Sequence, residues 1–158
     1  MSRMKALTSL SLVAALLAGV AAVQAATPEE LAAAVEARHN HMKGYGAALR
    51  VLGGMAQGEV AYDAAAATEA ANALAALTVA DQSTFWPEGS EAGAVPDSAA
   101  LPALWENIPD VMAKAEALAA AAAVMQTAAG TDLAALQAAL PAVGGACGAC
   151  HELYRQPD

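Results

Sequence analysis

Basic and aromatic side chains are scarce in this chain: seven Lys and Arg stand against 16 Asp and Glu, and Phe, Trp and Tyr together make up 4%. The formal net charge of −9 at pH 7 argues against nucleic acid and anionic membrane surfaces as partners, because like charges would be brought together. Strand signals are missing, since no run of alternating β-branched and aromatic residues is bounded by hairpin turns. No Ser-His-Asp set, Gly-rich phosphate loop or paired carboxylate site is present, so the sequence predicts no enzyme and no transformed substrate. Among reactive side chains cysteine is the rarest, with two residues.

Both cysteines lie at the C-terminal end, in the run Cys147-Gly148-Ala149-Cys150-His151. C-x-x-C-H is the attachment pattern of a c-type haem. Each thiol can add across one haem vinyl group, and the histidine that follows can place an imidazole nitrogen on the iron. The reading is one covalent haem c per chain, on Cys147 and Cys150, with His151 as the proximal ligand. A zinc site would need four ligands, and no second paired cluster supplies them. A structural disulfide would leave His151 unexplained. An exported dithiol oxidoreductase using Cys147 and Cys150 is the alternative from another class, although such pairs sit at the start of a helix near a βαβ pattern.

At the other end, Arg3 and Lys5 precede an uncharged Leu-, Val- and Ala-rich stretch over residues 6–23, followed by small residues at Ala25 and Ala26. This pattern reads as a secretory signal peptide over residues 1–25, cleaved to leave one domain over 26–158 with no membrane insertion. The mature part would keep five basic residues against 16 acidic ones. Haem attachment follows export in bacteria, so the two ends agree on a soluble periplasmic protein. Its acidic surface suits redox partner proteins bearing a basic patch.

Periodicity predicts an all-α fold. Thr27-Pro28-Glu29-Glu30 is a helix start with a capping box and a proline at the first position. Leu31, Val35, Arg38, Met42, Tyr45, Leu49 and Leu52 then recur at steps of three and four, and Gly53-Gly54 and Gly58 are expected to close the helix. A second helix is expected from Asp63 to Val79. A third carries Leu101, Leu104, Ile108, Val111, Ala115, Leu118, Ala122 and Met125, with a bend at Pro109. A long polar connection over residues 81–100 joins these two. A fourth starts near Thr131 and carries Leu133, Leu136, Leu140, Val143, Cys147, Cys150 and Tyr154. Short first and last connections around a long middle one describe an antiparallel up-down four-helix bundle with the haem near the C-terminal helix.

On that fourth helix Cys147 and His151 are four apart and share a face, with Cys150 beside them. The first helix can wall the other side of the porphyrin, offering Arg38, Met42 and Tyr45. Arg38 on an apolar stripe is a costly bare charge that a haem propionate would offset, unless it snorkels at the stripe border. Met42 has three readings: a soft thioether ligand, an unbound lid over the iron, or a core methionine. His39 and His41 are two apart and cannot face the same point. His41 reads as a solvated surface histidine, with bis-histidine ligation as the alternative.

The sequence resembles the class II c-type cytochromes over the whole mature chain. The resemblance rests on Cys147-x-x-Cys150-His151-x-x-Tyr154-Arg155, on Phe85-Trp86-Pro87, on Trp105, and on Arg38-x-x-x-Met42. In the high-spin branch, cytochrome c-prime, the iron is five-coordinate and the residue matching Met42 covers a face open to nitric oxide or carbon monoxide. In the low-spin c-556 branch a first-helix methionine is the sixth ligand. The stretch from Val51 to Glu59, Tyr62-Asp63 and Ala146-Cys147-Gly148 are similar to the low-spin branch, whereas Arg38 four before Met42 is similar to c-prime. The resemblance further implies that Arg38 and His39 lie along the haem edge and that Arg155 rises on the proximal side. It also implies that a homodimer can form through the first two helices.

Overall fold

The computed structural model describes residues 25–157, so the expected signal peptide lies outside the described residues but for Ala25. The first helix, α1 (Pro28–Ala56), starts as its sequence requires. The Thr27 hydroxyl accepts from the Glu30 amide at 3.3 Å, and the Glu30 carboxylate accepts from the Thr27 amide at 2.7 Å. Its end falls beyond the expected Gly53-Gly54. Leu52 and Met55 are both buried, and their burial draws the helix one turn further into the core. The chain then leaves through a Schellman motif: Gly58, at φ +76°, donates to the Met55 carbonyl, and Glu59 donates to that of Gly54.

The second helix, α2 (Ala64–Thr78), is capped by Asp63, whose side chain accepts from the Ala66 amide at 2.9 Å. The expected third helix is two. A short α3 (Ala103–Glu106) ends at Asn107, which leaves helical geometry at φ −138° and ψ 52°, and α4 (Ile108–Ala129) starts afresh. Pro109 therefore sits in the first turn of α4, where its missing N–H has no intrahelical partner to lose, and the expected bend becomes a break. The break also changes the phase of the stripe, leaving Ile108 and Ala115 exposed. The last helix, α5 (Leu133–Tyr154), is capped by Asp132 and continues through Pro141.

Helix α1 packs on α2, α2 on α4, α4 on α5, and α5 returns to α1; this last seam is the most sparsely packed of the four. At the α1–α2 seam Gly44 permits close approach, since a Cβ there would lie 2.9 Å from Leu77 Cδ1. The main core joins all four arms around Leu52, Leu74, Met125, Leu136 and Val143. A separate smaller cluster gathers Ala100, Leu104 and Tyr154, with Trp86, Trp105, Val111 and Cys150 against it. Among the described residues there is no strand longer than an isolated bridge.

Two expectations follow from this packing. Leu52 is fully buried at the junction of the arms, so Leu52→Ala should cost about 2–5 kcal/mol, read as a lower urea midpoint with an unchanged m-value. In the smaller cluster the Tyr154 hydroxyl donates to Asp110 Oδ2 at 2.6 Å, and Lys114 Nζ stands 3.4 Å from the same oxygen. The Tyr154 hydrogen bond, aided by Lys114, holds the Asp110 carboxyl below its ordinary value. A carboxyl so depressed stabilises the fold fully above its unfolded value of about 3.9, and that contribution is lost as pH falls through the folded value. Thermal melts between neutral and acid pH should therefore show a shallower acid loss of stability in Asp110→Asn than in wild type.

Candidate haem-attachment site

The C-terminal turns of α5 bring the three sequence-predicted residues together. Cys147 and Cys150 are free thiols, each half-buried, and they sit three apart on one face, with His151 exposed beside them. Cys147 lies near Tyr45 of α1. The Tyr45 hydroxyl is pushed up to about 12, chiefly by burial and secondarily by the Cys147 charge. Cys150 packs against the smaller core cluster, so the two thiols stand at the boundary between the two cores.

Burial pushes both thiols above their usual value, leaving little thiolate at neutral pH. They also lie in the last two turns of their helix, where the dipole opposes a negative charge. Both conditions are the reverse of those that activate a dithiol redox pair. Although the His151 side chain is exposed, its neighbours partly desolvate the ring; that and, after it, the charge of Arg155 lower its value, which favours the neutral imidazole that can bind a metal. Arg155 itself is the C-cap of α5, and its amide donates to the His151 carbonyl at 3.1 Å.

Across the sparse seam, α1 presents its side chains differently from the stripe drawn on the sequence. Arg38 is 5% exposed and faces the 81–100 connection. Its Nη1 donates to the Phe85 carbonyl at 2.8 Å and to Ser90 Oγ at 2.7 Å; its Nη2 donates to the Ser90 carbonyl at 2.7 Å and to Ser98 Oγ at 3.1 Å. The guanidinium carbon also stands 5.0 Å from the centre of the Trp86 ring. These loop oxygens meet the charge, so its burial is accounted for without a propionate. Ser90 and Ser98 were not legible as partners, because small polar residues in a long connection carry no periodic signal.

His41 is also a correction. It is a buried side chain, not a solvated one: its Nε2 and the Tyr45 hydroxyl are 3.2 Å apart, and it meets the rings of Tyr45 and Phe85 edge-on. Burial lowers its pKa. Met42 departs from the core reading of its stripe, being 40% exposed, and His39 is half-buried. Thus the α1 turn holds His41 inward among aromatic rings and leaves the Met42 thioether accessible.

The residues present fit a haem. Helix α5 is the one described helix apolar and long enough to cross a membrane by length and composition, yet 17% of its most apolar stretch is buried. A flat apolar group linked at Cys147 and Cys150 would cover part of that face. Among the described residues no group of three or more His, Cys, Asp and Glu is gathered for a bare metal ion.

The family model described as Cytochrome C' matches residues 33–155. A cytochrome c-554 of Cereibacter sphaeroides is 48% identical over 124 residues, covering 78% of this chain and 81% of that protein. A cytochrome c' of the same organism is 38% identical over 145 residues, covering 91% and 95%. The solved structure of a cytochrome c' from Rhodobacter Spheriodes superposes with a TM-score of 0.78 at 36% identity, over 84% of this chain and all of that one. On this match of sequence and of bundle, the chain belongs to the cytochrome c' family of four-helix-bundle proteins, whose cofactor is covalently attached haem c.

Proposed function

We propose that the chain is a periplasmic carrier of single electrons, with haem c linked to Cys147 and Cys150, His151 as proximal ligand and Met42 as sixth ligand. Bound haem supplies a one-electron iron couple, and a thioether ligand raises its potential. The observation that carries this reading is the contrast between neighbours on α1: Met42 is 40% exposed while His41 is buried against the rings of Tyr45 and Phe85. The same contrast favours Met42 over bis-histidine ligation. His151 of α5, its value lowered by partial burial and by Arg155, offers a neutral imidazole lone pair. The raised thiols stay protonated and unpaired until they are alkylated, which suits attachment better than disulfide exchange.

Arg155 acts on His151 as a nearby positive charge, and Arg38 acts on the loop that walls the site. His39, half-buried one position on, belongs to the same edge. The 16 acidic residues suit a redox partner with a basic patch, whose encounter rate should fall as salt rises. Export to the periplasm rests on the signal-like 1–25 segment.

A second reading has its own support. Membership of the cytochrome c' family, which includes solved proteins from Alcaligenes xylosoxidans holding carbon monoxide or nitric oxide, favours an open iron face covered by an unbound Met42. The optical spectrum of the haem-loaded protein separates the two. Electron transfer through a six-coordinate iron predicts a low-spin spectrum with the far-red charge-transfer band of methionine ligation. In Met42→Ala that band should vanish, the spectrum should turn high-spin, and the reduced protein should take up carbon monoxide. High-spin spectra in both proteins, with carbon monoxide bound by each, would replace the first reading with the second.

A further inference from the structure

The 81–100 connection is long, and its hydrogen bonds run to both helices of the haem seam. Toward α1 it receives the four Arg38 bonds and lays Trp86 against the guanidinium. Toward α5 it pairs as a short antiparallel bridge: the Leu101 amide donates to the Tyr154 carbonyl at 2.9 Å, and the Gln156 amide donates to the Ala99 carbonyl at 2.8 Å. Between these ends the segment is braced. Ala92 donates to the Ala100 carbonyl at 2.8 Å, the Ser98 hydroxyl donates to the Ser90 carbonyl at 2.7 Å, and the Ser90 hydroxyl donates to the Pro87 carbonyl at 2.7 Å. Both serine hydroxyls thus accept from Arg38 while donating onward, an arrangement in which each bond polarises the next.

The two ends of this brace fall beside the two residues proposed as iron ligands. Arg38 lies four before Met42 on α1, one turn away on the same side, and Tyr154 lies three after His151 on α5. Direct packing between α1 and α5 is sparse, so the loop is a second route by which the helices hold each other. We propose that Arg38 is a positioning residue: it locks the 85–100 segment as a strut between the Met42 turn and the His151 end, and so sets the separation across which the iron is ligated. The spectral part of this inference rests on Met42 ligation; the strut itself does not.

Lysine cannot substitute. Arg38 uses two nitrogens of a planar fork to reach three acceptors on two residues and a fourth on a third, whereas an ammonium offers its donors from one point. That distinction separates a strut from a simple cation beside a propionate, for which the charge alone would suffice.

The test uses the haem-loaded full chain as wild type, Arg38→Gln, Arg38→Lys and the milder Ser98→Ala, which lies outside both helices and removes only one of the four Arg38 bonds. Hydrogen exchange of the Leu101 and Gln156 amides reports the far end of the strut, distant from every substitution on α1. A strut predicts that protection there falls ~10- to 100-fold in Arg38→Gln, the factor that a lost charged hydrogen bond corresponds to, that Arg38→Lys does not restore it, and that Ser98→Ala gives a smaller loss. The high-spin fraction of the optical spectrum should rise in the same order. Unchanged protection at Leu101 and Gln156 in the folded variants, or full restoration by lysine, would overturn the strut. Lost protection together with a wild-type spectrum that lacks methionine ligation would uphold the strut and remove only the Met42 reading.

Discussion

Helix α5 sets the constraint on which the rest of the molecule depends: it is apolar along much of its length, it buries Leu136 and Val143 in the main core, and its last two turns carry the half-buried Cys147 and Cys150. An apolar helix face in water costs free energy in proportion to its exposed area, and a small bundle has few other ways to recover it. Sheet formation is closed to this chain, and its scarce aromatic residues cannot span the gap. A large flat apolar group linked covalently on that face would cover part of it. The division of the interior follows from this. The main core stops near Val143, the smaller cluster begins at Cys150, and Cys147 stands between them near Tyr45. A haem linked at both cysteines would lie along the join of two half-cores, so cofactor binding and completion of the interior are one event.

The parts of this arrangement written in local patterns were legible in the sequence. Thr27-Pro28-Glu29-Glu30 encodes its cap within four residues, Asp63 encodes another, and the steps of three and four along α5 place Cys147, Cys150 and Tyr154 on one side. The ends of helices were less legible where tertiary packing overrode propensity. Two glycines in a row argue for a stop, but the burial of Leu52 and Met55 carries α1 past them. Pro109 argues for a bend, but Asn107 takes up the turn ahead of it.

The stripe on α1 failed for a more general reason. Periodicity assigns a face, yet it does not say what covers that face at each position. Arg38 and Met42 share a stripe and have opposite fates: the charged residue is buried and the apolar one exposed. Arg38 can be buried because the loop folds a set of oxygens around it, and that partner is 47 to 60 residues away along the chain. Met42 stays 40% exposed. The burial of the cation and the exposure of the methionine one turn on are set by what the rest of the chain packs over each, and no single-helix pattern contains that.

The electrostatics of the C-terminal turns complete the argument. A helix C-terminus stabilises cations, and by itself it would favour a protonated imidazole at His151, which cannot bind iron. Partial burial and the positive charge of Arg155, one turn on, act the other way and prevail. The same helix end and the same burial keep Cys147 and Cys150 as thiols. One local environment thus lowers the histidine and raises the cysteines, and both shifts favour the neutral forms. Moving C-x-x-C-H to the first turn of a helix would invert the dipole at the cysteines and yield a reactive dithiol. At the end of α5, by contrast, burial and the helix dipole both act against a thiolate.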